Sequence, residues 1–226
     1  MLQDLIRREF NRWADLGRGR GMEKSHWDIT RQMLDLMTVG PNDNIIDIGC
    51  GVGWATRVLA QRASCGIVLG VDLSDRMIAQ ACREYRNPAN ALFLVADVSA
   101  LPCHDNFFNA LFSVESIYYY PDLKDAFTEL HRVLRPWAKA FFLTNYYKEN
   151  VYSHSWAKYI DIPVHLLSAE DYLAHLSSAG FRTVTHRRIV DSTPIPEDWT
   201  PTKWFPTRQD QERFQAEGAL LLIAEK

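Results

Sequence analysis

The chain has 226 residues, of which 47% are hydrophobic and 23% are charged, and its formal net charge is −3. This length and composition predict a globular domain with a large core, and the slightly acidic balance excludes a general attraction for nucleic acid. The start has no signal-peptide pattern, no apolar run could span a membrane, and no CxxC pair occurs, so we expect a cytoplasmic protein without a zinc site.

The first 38 residues predict two helices that precede any strand. Apolar residues at near-helical spacing indicate a helix over 2–16, and a second helix suits 23–38. Between them, glycines at 17, 19 and 21 predict a break. Arginines are frequent here, and a solvated helix face is favoured over a contact for an anionic substrate. These arginines are Arg7, Arg8, Arg12, Arg18 and Arg20.

From residue 39 onward, short apolar strands alternate with helices. Strands that read as continuous apolar runs are typical of a parallel sheet covered by helices on both faces. Ligands of such sheets bind outside the carboxyl ends of the strands. The five predicted strands of this stretch are NIIDIG, GIVLGVDL, ALFLVAD, FNALFSVES and AKAFFLTNYY.

The last third of the chain predicts one helix and two more strands. Ser168 and Asp171 are spaced like a capping box at the start of a helix that closes at Gly180. The segments FRTVTHRRIV and ALLLIAEK are typical of strands. We interpret residues 191–217 between them, which are rich in proline and tryptophan, as a loop.

A glycine-rich turn, DIGCGVG, follows the first strand. It departs from the dinucleotide fingerprint, because Trp54 stands where that loop needs a small residue, and it has no P-loop lysine. The helix N-terminus that follows the turn favours an anionic group, whereas Asp47 on the strand favours a cation. A carboxylate and an ammonium side by side belong to an amino acid moiety.

Two more aspartates stand at the ends of the next strands. Asp72 lies at the distance from the glycines where an acid binds ribose hydroxyls, and Asp97 could accept a hydrogen bond from an exocyclic amine. In chain order, these strand ends offer sites for an amino acid, a ribose and an adenine. S-adenosylmethionine combines those three parts.

Four segments together resemble the class I S-adenosylmethionine-dependent methyltransferases of the small-molecule kind (methyltransferase type 11). The resemblance covers about residues 39–145. It implies an α/β, Rossmann-like, doubly wound sheet of seven mostly parallel strands whose last strand is antiparallel. We expect one domain over 1–226, with a cofactor-binding core at 39–145 and a lid insertion, helix and C-terminal strands at 146–226. The glycines of 1–38 and its place before the first strand suggest a lid with His26 and Trp27 facing the site, with a static helical cap as the alternative. The segments are VGPNDNIIDIGCGVGWATRVLA, GVDLSDRMIAQA, VADVSALPCHDNFFNALFSVES and ELHRVLRPWAKAFF.

The resemblance also implies the roles of site residues. Gly49 and Gly51 would contact the methionine part and Asp72 the ribose. Met77 would pack on the adenine, and Asp97 would bind its edge together with the neighbouring valine. S-adenosylhomocysteine would be the product, and no metal is expected. The full predicted set is Asp47, Gly49, Cys50, Gly51, Gly53, Asp72, Leu73, Met77, Ala96, Asp97, Val98, Ser113, Val114 and Glu115.

The sequence does not identify the substrate. Positioning is the main requirement of methyl transfer, and a base helps only where the substrate must lose a proton. The position after the fourth strand reads SVES rather than the D/N-P-P-Y typical of enzymes that methylate nucleobases or glutamine, so nucleic acid is not expected. Candidate bases are His26, Tyr118 and His154. Candidate pocket residues are Trp27, Tyr118, Tyr146, Tyr152 and Trp156.

A small-molecule methyltransferase is therefore the leading hypothesis. Two alternatives stay open: a methyltransferase that acts on protein or RNA, and a non-catalytic, cofactor-binding regulatory partner. A homodimer is also left open.

Overall fold

The computed structural model describes residues 2–84 and 88–226. Its centre is a seven-stranded sheet in the order β3-β2-β1-β4-β5-β7-β6. β1 to β5 are parallel, and β7 is antiparallel to both of its neighbours, which confirms the predicted fold. The strands are β1 (Ile45–Ile48), β2 (Val68–Asp72), β3 (Ala91–Val95), β4 (Phe108–Val114), β5 (Leu134–Thr144), β6 (Thr183–Ile189) and β7 (Ala219–Glu225).

Seven α-helices accompany the sheet within the described residues, together with two 3₁₀ segments, Ile117–Tyr119 and Val151–Tyr159. Buried apolar side chains form one core cluster on each face of the sheet. None of these helices is both long enough and apolar enough to cross a membrane. The helices are α1 (Leu2–Asp15), α2 (Arg18–Leu36), α3 (Trp54–Arg62), α4 (Asp75–Glu84), α5 (Leu123–Val133), α6 (Ala169–Ser178) and α7 (Arg208–Glu217).

Parallel pairing brings the functional strand ends together. In the register, Ile48 of β1 lies opposite Val71 of β2, and Asp47 lies opposite Phe112 of β4. The residues that follow β1, β2 and β4 therefore meet at one edge of the sheet.

The break between the two N-terminal helices is shorter than the sequence predicts. Gly17 alone turns the chain, with φ +69°, whereas Gly19 and Gly21 lie inside α2. α1 packs on α4, and the side chain of Asn11 accepts a 2.6 Å hydrogen bond from Ser74 Oγ. The helix pair therefore lies against the carboxyl ends of the strands.

The C-terminal part contains a helix that the sequence interpretation missed. α7 lies within the predicted loop 191–217, and its N-cap is Thr207, whose side chain accepts a hydrogen bond from the backbone N–H of Asp210. The predicted capping box of α6 is present, since Ser168 and Asp171 exchange hydrogen bonds of 3.0 and 3.1 Å.

Candidate active site

One large cavity of about 660 Å³ opens at the carboxyl ends of the strands. Its wall combines the turn after β1 and the ends of β2, β3 and β4 with parts of α1, α2 and α7. This volume is within the range of about 300–1,000 Å³ that is usual for ligand sites.

The glycine turn after β1 has two kinds of glycine. At Gly49, with φ +73°, an added Cβ would overlap Ser116, so this glycine allows the end of β4 to approach. At Gly51, with φ +53°, a Cβ would meet nothing within 4 Å. Gly51 lines the cavity, so its bare backbone leaves space for a ligand.

Asp72 ties the end of β2 to this turn. Its Oδ1 accepts a 2.8 Å hydrogen bond from the N–H of Ser74, and its Oδ2 accepts one of 2.9 Å from the N–H of Gly51. Burial raises the pKa of Asp72, and these backbone donors oppose that shift. Each carboxylate oxygen has two lone pairs, so both oxygens can also accept from a ligand hydroxyl.

Asp97 lines the cavity after β3 with one oxygen unused. The N–H and hydroxyl of Ser99 both donate to Oδ1, at 2.9 and 2.8 Å. Within the described residues no group donates a hydrogen bond to Oδ2, so this atom is available to a donor on a ligand. The predicted residues Cys50, Leu73, Met77, Ala96, Val98 and Val114 also line the cavity.

Three predicted contacts lie behind the cavity wall rather than on it. Asp47 is 2% exposed, and it accepts a 2.6 Å hydrogen bond from the hydroxyl of Thr56. Burial raises its pKa to about 7, and the nearby charge of Asp72 acts in the same direction. Gly53 and Ser113 are likewise absent from the lining. The structure therefore gives these three residues a supporting position.

Glu115 follows β4 in a strained backbone conformation, with φ +54°. Its Oε1 accepts hydrogen bonds from the backbone N–H and the side-chain amide of Asn145, at 2.6 and 3.1 Å. Its Oε2 accepts one of 3.0 Å from the hydroxyl of Tyr118. Burial raises the pKa of Glu115, and the charge of His26 opposes this rise. A half-buried carboxylate, held by three hydrogen bonds, thus stands in the cavity wall.

The predicted bases separate into two groups. His26 and Tyr118 line the cavity. His154 lies outside it, and its Nε2 is bonded to the carbonyl of Lys148 at 3.1 Å. The imidazole thus faces the chain rather than the cavity.

Some of the predicted pocket residues lie on the cavity wall and others lie away from it. Trp156 joins Tyr118 on the wall, and Tyr146 is buried behind Tyr118 with 5.2 Å between the ring centroids. Tyr152 is half-buried away from the cavity. Trp27 is 40% exposed and packs edge-on to Trp54, so the predicted orientation of Trp27 into the site is wrong.

The C-terminal segment adds aromatic residues to the pocket. Phe214 of α7 lies 5.3 Å from Trp156 and 5.0 Å from Phe205, measured between ring centroids. Trp204 lies 6.0 Å from Trp156. All four line the cavity, and we call them the outer aromatic cluster. The capping pair of α7 was the available signal for this helix.

Most of the N-terminal arginines are engaged within the chain. Arg7 pairs with Asp4, Arg12 with Glu9, and Arg20 with Glu84. These contacts agree with a solvated helix face.

A family of known proteins matches the chain. The methyltransferase domain family matches residues 46–142. The chain is 31% identical over 122 residues to 24-methylenesterol C-methyltransferase 2 of Arabidopsis thaliana, covering 50% of this chain and 33% of that protein. It is 27% identical over 203 residues to the O-methyltransferase cnsE of Penicillium expansum, covering 87% of this chain and 71% of that protein. The chain spans between a third and a half of the first two curated relatives it matches.

A solved structure matches almost the whole chain. It contains a candidate methyltransferase of Haloferax volcanii in complex with the Trm112 methyltransferase activator. That protein is 33% identical to this chain, the match covers 96% of each, and the TM-score is 0.88. Geranyl diphosphate C-methyltransferase of Streptomyces coelicolor, solved with S-adenosylhomocysteine, shares the fold at 20% identity and a TM-score of 0.67, with coverage of 87% of this chain and 74% of that one.

Proposed function

The chain belongs to the class I S-adenosylmethionine-dependent methyltransferases, and we propose that it methylates a small molecule held beside the cofactor. The observation that carries this proposal is the continuous cavity that runs from the glycine turn to the outer aromatic cluster. A largely apolar, recessed wall suits a small molecule better than a protein or an RNA chain.

The residues of the wall fit the cofactor. Gly51 leaves room for the methionine part, and the carboxylate of Asp72 has lone pairs free for ribose hydroxyls. The unused Oδ2 of Asp97 suits the amino group of an adenine, with Met77 as an apolar contact for the ring. When bound, S-adenosylmethionine supplies a methyl group activated by its sulfonium.

The protein's own contribution is positioning and exclusion of water. Phe10 and Trp13 of α1 and His26 of α2 line the same cavity as the glycine turn. In this proposal the helix pair would cover the bound cofactor and keep water from the reacting atoms.

The direct test follows the methyl group. The purified chain is incubated with S-adenosylmethionine labelled in its methyl group and with a cell extract separated into metabolite, protein and RNA fractions. We expect label in the metabolite fraction only. Label in protein or RNA would overturn the small-molecule proposal in favour of a macromolecular substrate. Tight cofactor binding without transfer to any fraction would favour a regulatory role.

We also propose that the chain works with a protein partner. This proposal is supported by the Haloferax relative, whose structure contains the Trm112 activator. Strand β3 offers an open edge, since within the described residues it pairs with β2 alone. Leu92 and Val95 on this strand are 46% and 43% exposed. An open strand with exposed apolar residues suits the addition of another chain.

Co-purification with the Haloferax volcanii Trm112 protein tests this second proposal. We expect a 1:1 complex on size-exclusion chromatography, and we expect Leu92→Glu to abolish it. The matched control is Leu166→Glu, which changes a side chain of similar exposure, 38%, outside the sheet. A complex that survives Leu92→Glu, or no complex with the unaltered chain, contradicts the proposal.

A further inference from the structure

We infer that the substrate is an amine and that the carboxylate of Glu115 binds it and receives its proton. This inference rests on the proposed methyl transfer, because it concerns the group that stands beside the methyl donor. It is carried by the polar atoms and the rings at the inner end of the cavity.

The polar network around Glu115 leaves hydrogen-bond acceptors for a ligand. The side-chain nitrogen of Asn145 must face Glu115, because it donates to Oε1. This orientation leaves Asn145 Oδ1 without a donor among the described residues. Glu115 Oε2 accepts one hydrogen bond, from Tyr118, and has a second lone pair. Both residues line the cavity, so two oxygens there are available to the N–H groups of a ligand.

Aromatic rings surround the same region. The rings of Tyr118 and Tyr119 lie 4.2 Å apart, and Phe10 lies edge-on to Tyr119 at 4.9 Å, between centroids. All three line the cavity. Ring faces attract cations, and the half-buried carboxylate of Glu115 is stabilised by a cationic partner. Both features favour an ammonium group.

Other classes of substrate fit less well. An anionic head would meet Glu115 at close range and would be repelled. An aliphatic hydroxyl is much less acidic than an ammonium, so a carboxylate is a poor base for it. Two of the basic side chains of the wall are engaged with rings, and Lys24 and His26 also line it. Lys203 lies over Trp204 at 4.3 Å, and Arg18 lies over Trp13 at 5.1 Å.

The proton balance is simple. An ammonium N–H gives its proton to Oε2 of Glu115, which leaves a neutral amine and a neutral carboxyl group. The nitrogen lone pair then forms the bond to the methyl carbon while the carbon–sulfur pair stays on sulfur. The product is a methylated ammonium, and the proton on Glu115 returns to water. Burial raises the pKa of Glu115 toward that of an ammonium, which makes this proton transfer easier.

Calorimetry with three matched probes tests the inference on the unaltered chain. The probes are 2-phenylethylamine, 2-phenylethanol and 3-phenylpropanoate, added to protein saturated with S-adenosylhomocysteine. Each probe carries a phenyl ring for the apolar wall and a different polar end. We expect the amine to bind at least about tenfold more tightly than the other two, as for a charge-assisted hydrogen bond. Equal affinities, tighter binding of the alcohol or the acid, or no binding of the amine overturns the inference.

A variant assigns the preference to Glu115. Glu115→Gln keeps the shape of the side chain but removes its charge, and we expect at least about tenfold weaker amine binding with the alcohol unaffected. Glu197→Gln, at an exposed glutamate off the cavity wall, is the control and should keep the amine preference. An unchanged preference in folded Glu115→Gln contradicts the role of Glu115. S-adenosylhomocysteine binding is measured first, so failure of the cofactor site is distinguished from failure of the amine site.

Discussion

The N–H of Gly51 donates a 2.9 Å hydrogen bond to Oδ2 of Asp72, so the turn after β1 is fastened to the end of β2. The same carboxylate lines the cavity. One side chain therefore shapes the turn and faces the ligand, and a substitution at Asp72 affects both.

Asp72→Ala should weaken the binding of S-adenosylhomocysteine by about 1.5–3 kcal/mol, because hydrogen bonds to a charged group are lost. Calorimetry measures the affinity, and urea unfolding measures stability in parallel. Asp35→Ala, at an aspartate that is 56% exposed, is the control and should bind normally. Unchanged affinity in a folded Asp72→Ala variant would show that Asp72 only supports the turn.

Two glycines with positive φ allow strain to be separated from ligand contact. Gly51 and Gly17 have φ of +53° and +69°, and a Cβ on either would meet nothing within 4 Å. Gly51 lines the cavity, whereas Gly17 does not.

Gly51→Ala and Gly17→Ala should therefore each lower the free energy of unfolding by a similar amount, about 1–2 kcal/mol. Only Gly51→Ala should also reduce S-adenosylhomocysteine affinity, by at least about tenfold, because its methyl group enters ligand space. Thermal unfolding and calorimetry on both variants give the comparison. Equal affinities for the two variants would mean that the ligand does not approach Gly51.

A second pair of glycines tests the contact between α2 and the glycine turn. A Cβ on Gly19 would overlap Cγ1 of Val52, a residue of that turn, whereas a Cβ on Gly21 would meet nothing within 4 Å. Gly21→Ala should stabilise the helix by about 0.5–1 kcal/mol. Gly19→Ala should destabilise the protein by about 1–3 kcal/mol, as overpacking does. Unfolding of the ligand-free variants is the measurement, and two changes of the same sign would contradict the close contact.

The cap or lid role of 1–38 stays a prediction, and hydrogen exchange tests it. Because α2 lines the cavity, S-adenosylhomocysteine should slow amide exchange in residues 17–30. Helix α6 contributes nothing to the cavity wall and serves as the internal control. Equal exchange in 17–30 with and without the ligand would mean that the helix pair is a static cap.

The fold and the cofactor half of the site could be predicted from the sequence, because they depend on local patterns. The spacing of the glycine turn, Asp72 and Asp97 marks three neighbouring strand ends, and parallel pairing brings such ends together. The sequence does not show toward which face a side chain on a buried strand points. Asp47 belongs to a strand buried on both faces, so alternation could not show that it points toward Thr56 rather than the cavity.

The substrate half of the cavity could not be predicted in the same way. Phe10, Glu115 and Phe214 come from three distant parts of the chain, and only tertiary packing brings them to one wall. The left-handed conformation of Glu115 has no sequence signal, since it is rare outside glycine. The misread break at Gly19 has a similar cause: the close contact of this glycine with Val52 of the turn outweighs the low helix propensity of glycine.

The last prediction concerns pH and Asp47. Burial, aided by the charge of Asp72, raises its pKa to about 7, while Thr56 donates a hydrogen bond that opposes the rise. The unfolded chain titrates near the ordinary value of 3.8, so between these values the folded state holds a proton that the unfolded state has lost. The contribution of Asp47 to the free energy of unfolding is therefore fully present below about pH 4, and it is lost as the pH rises to about 7.

The free energy of unfolding should thus fall by about 3 kcal/mol from pH 5 to pH 8 through Asp47 alone, at about 1.36 kcal/mol per pH unit between the two pKa values. Asp47→Asn cannot ionise, so it should lose this part of the pH dependence and become more stable than the unaltered chain at pH 8. Urea unfolding at the two pH values measures both effects, with Asp198→Asn at an exposed loop position as the control. An Asp47→Asn variant with the same slope as the unaltered chain would mean that Asp47 is ionised in the folded protein at pH 5, held by Thr56 and its neighbours.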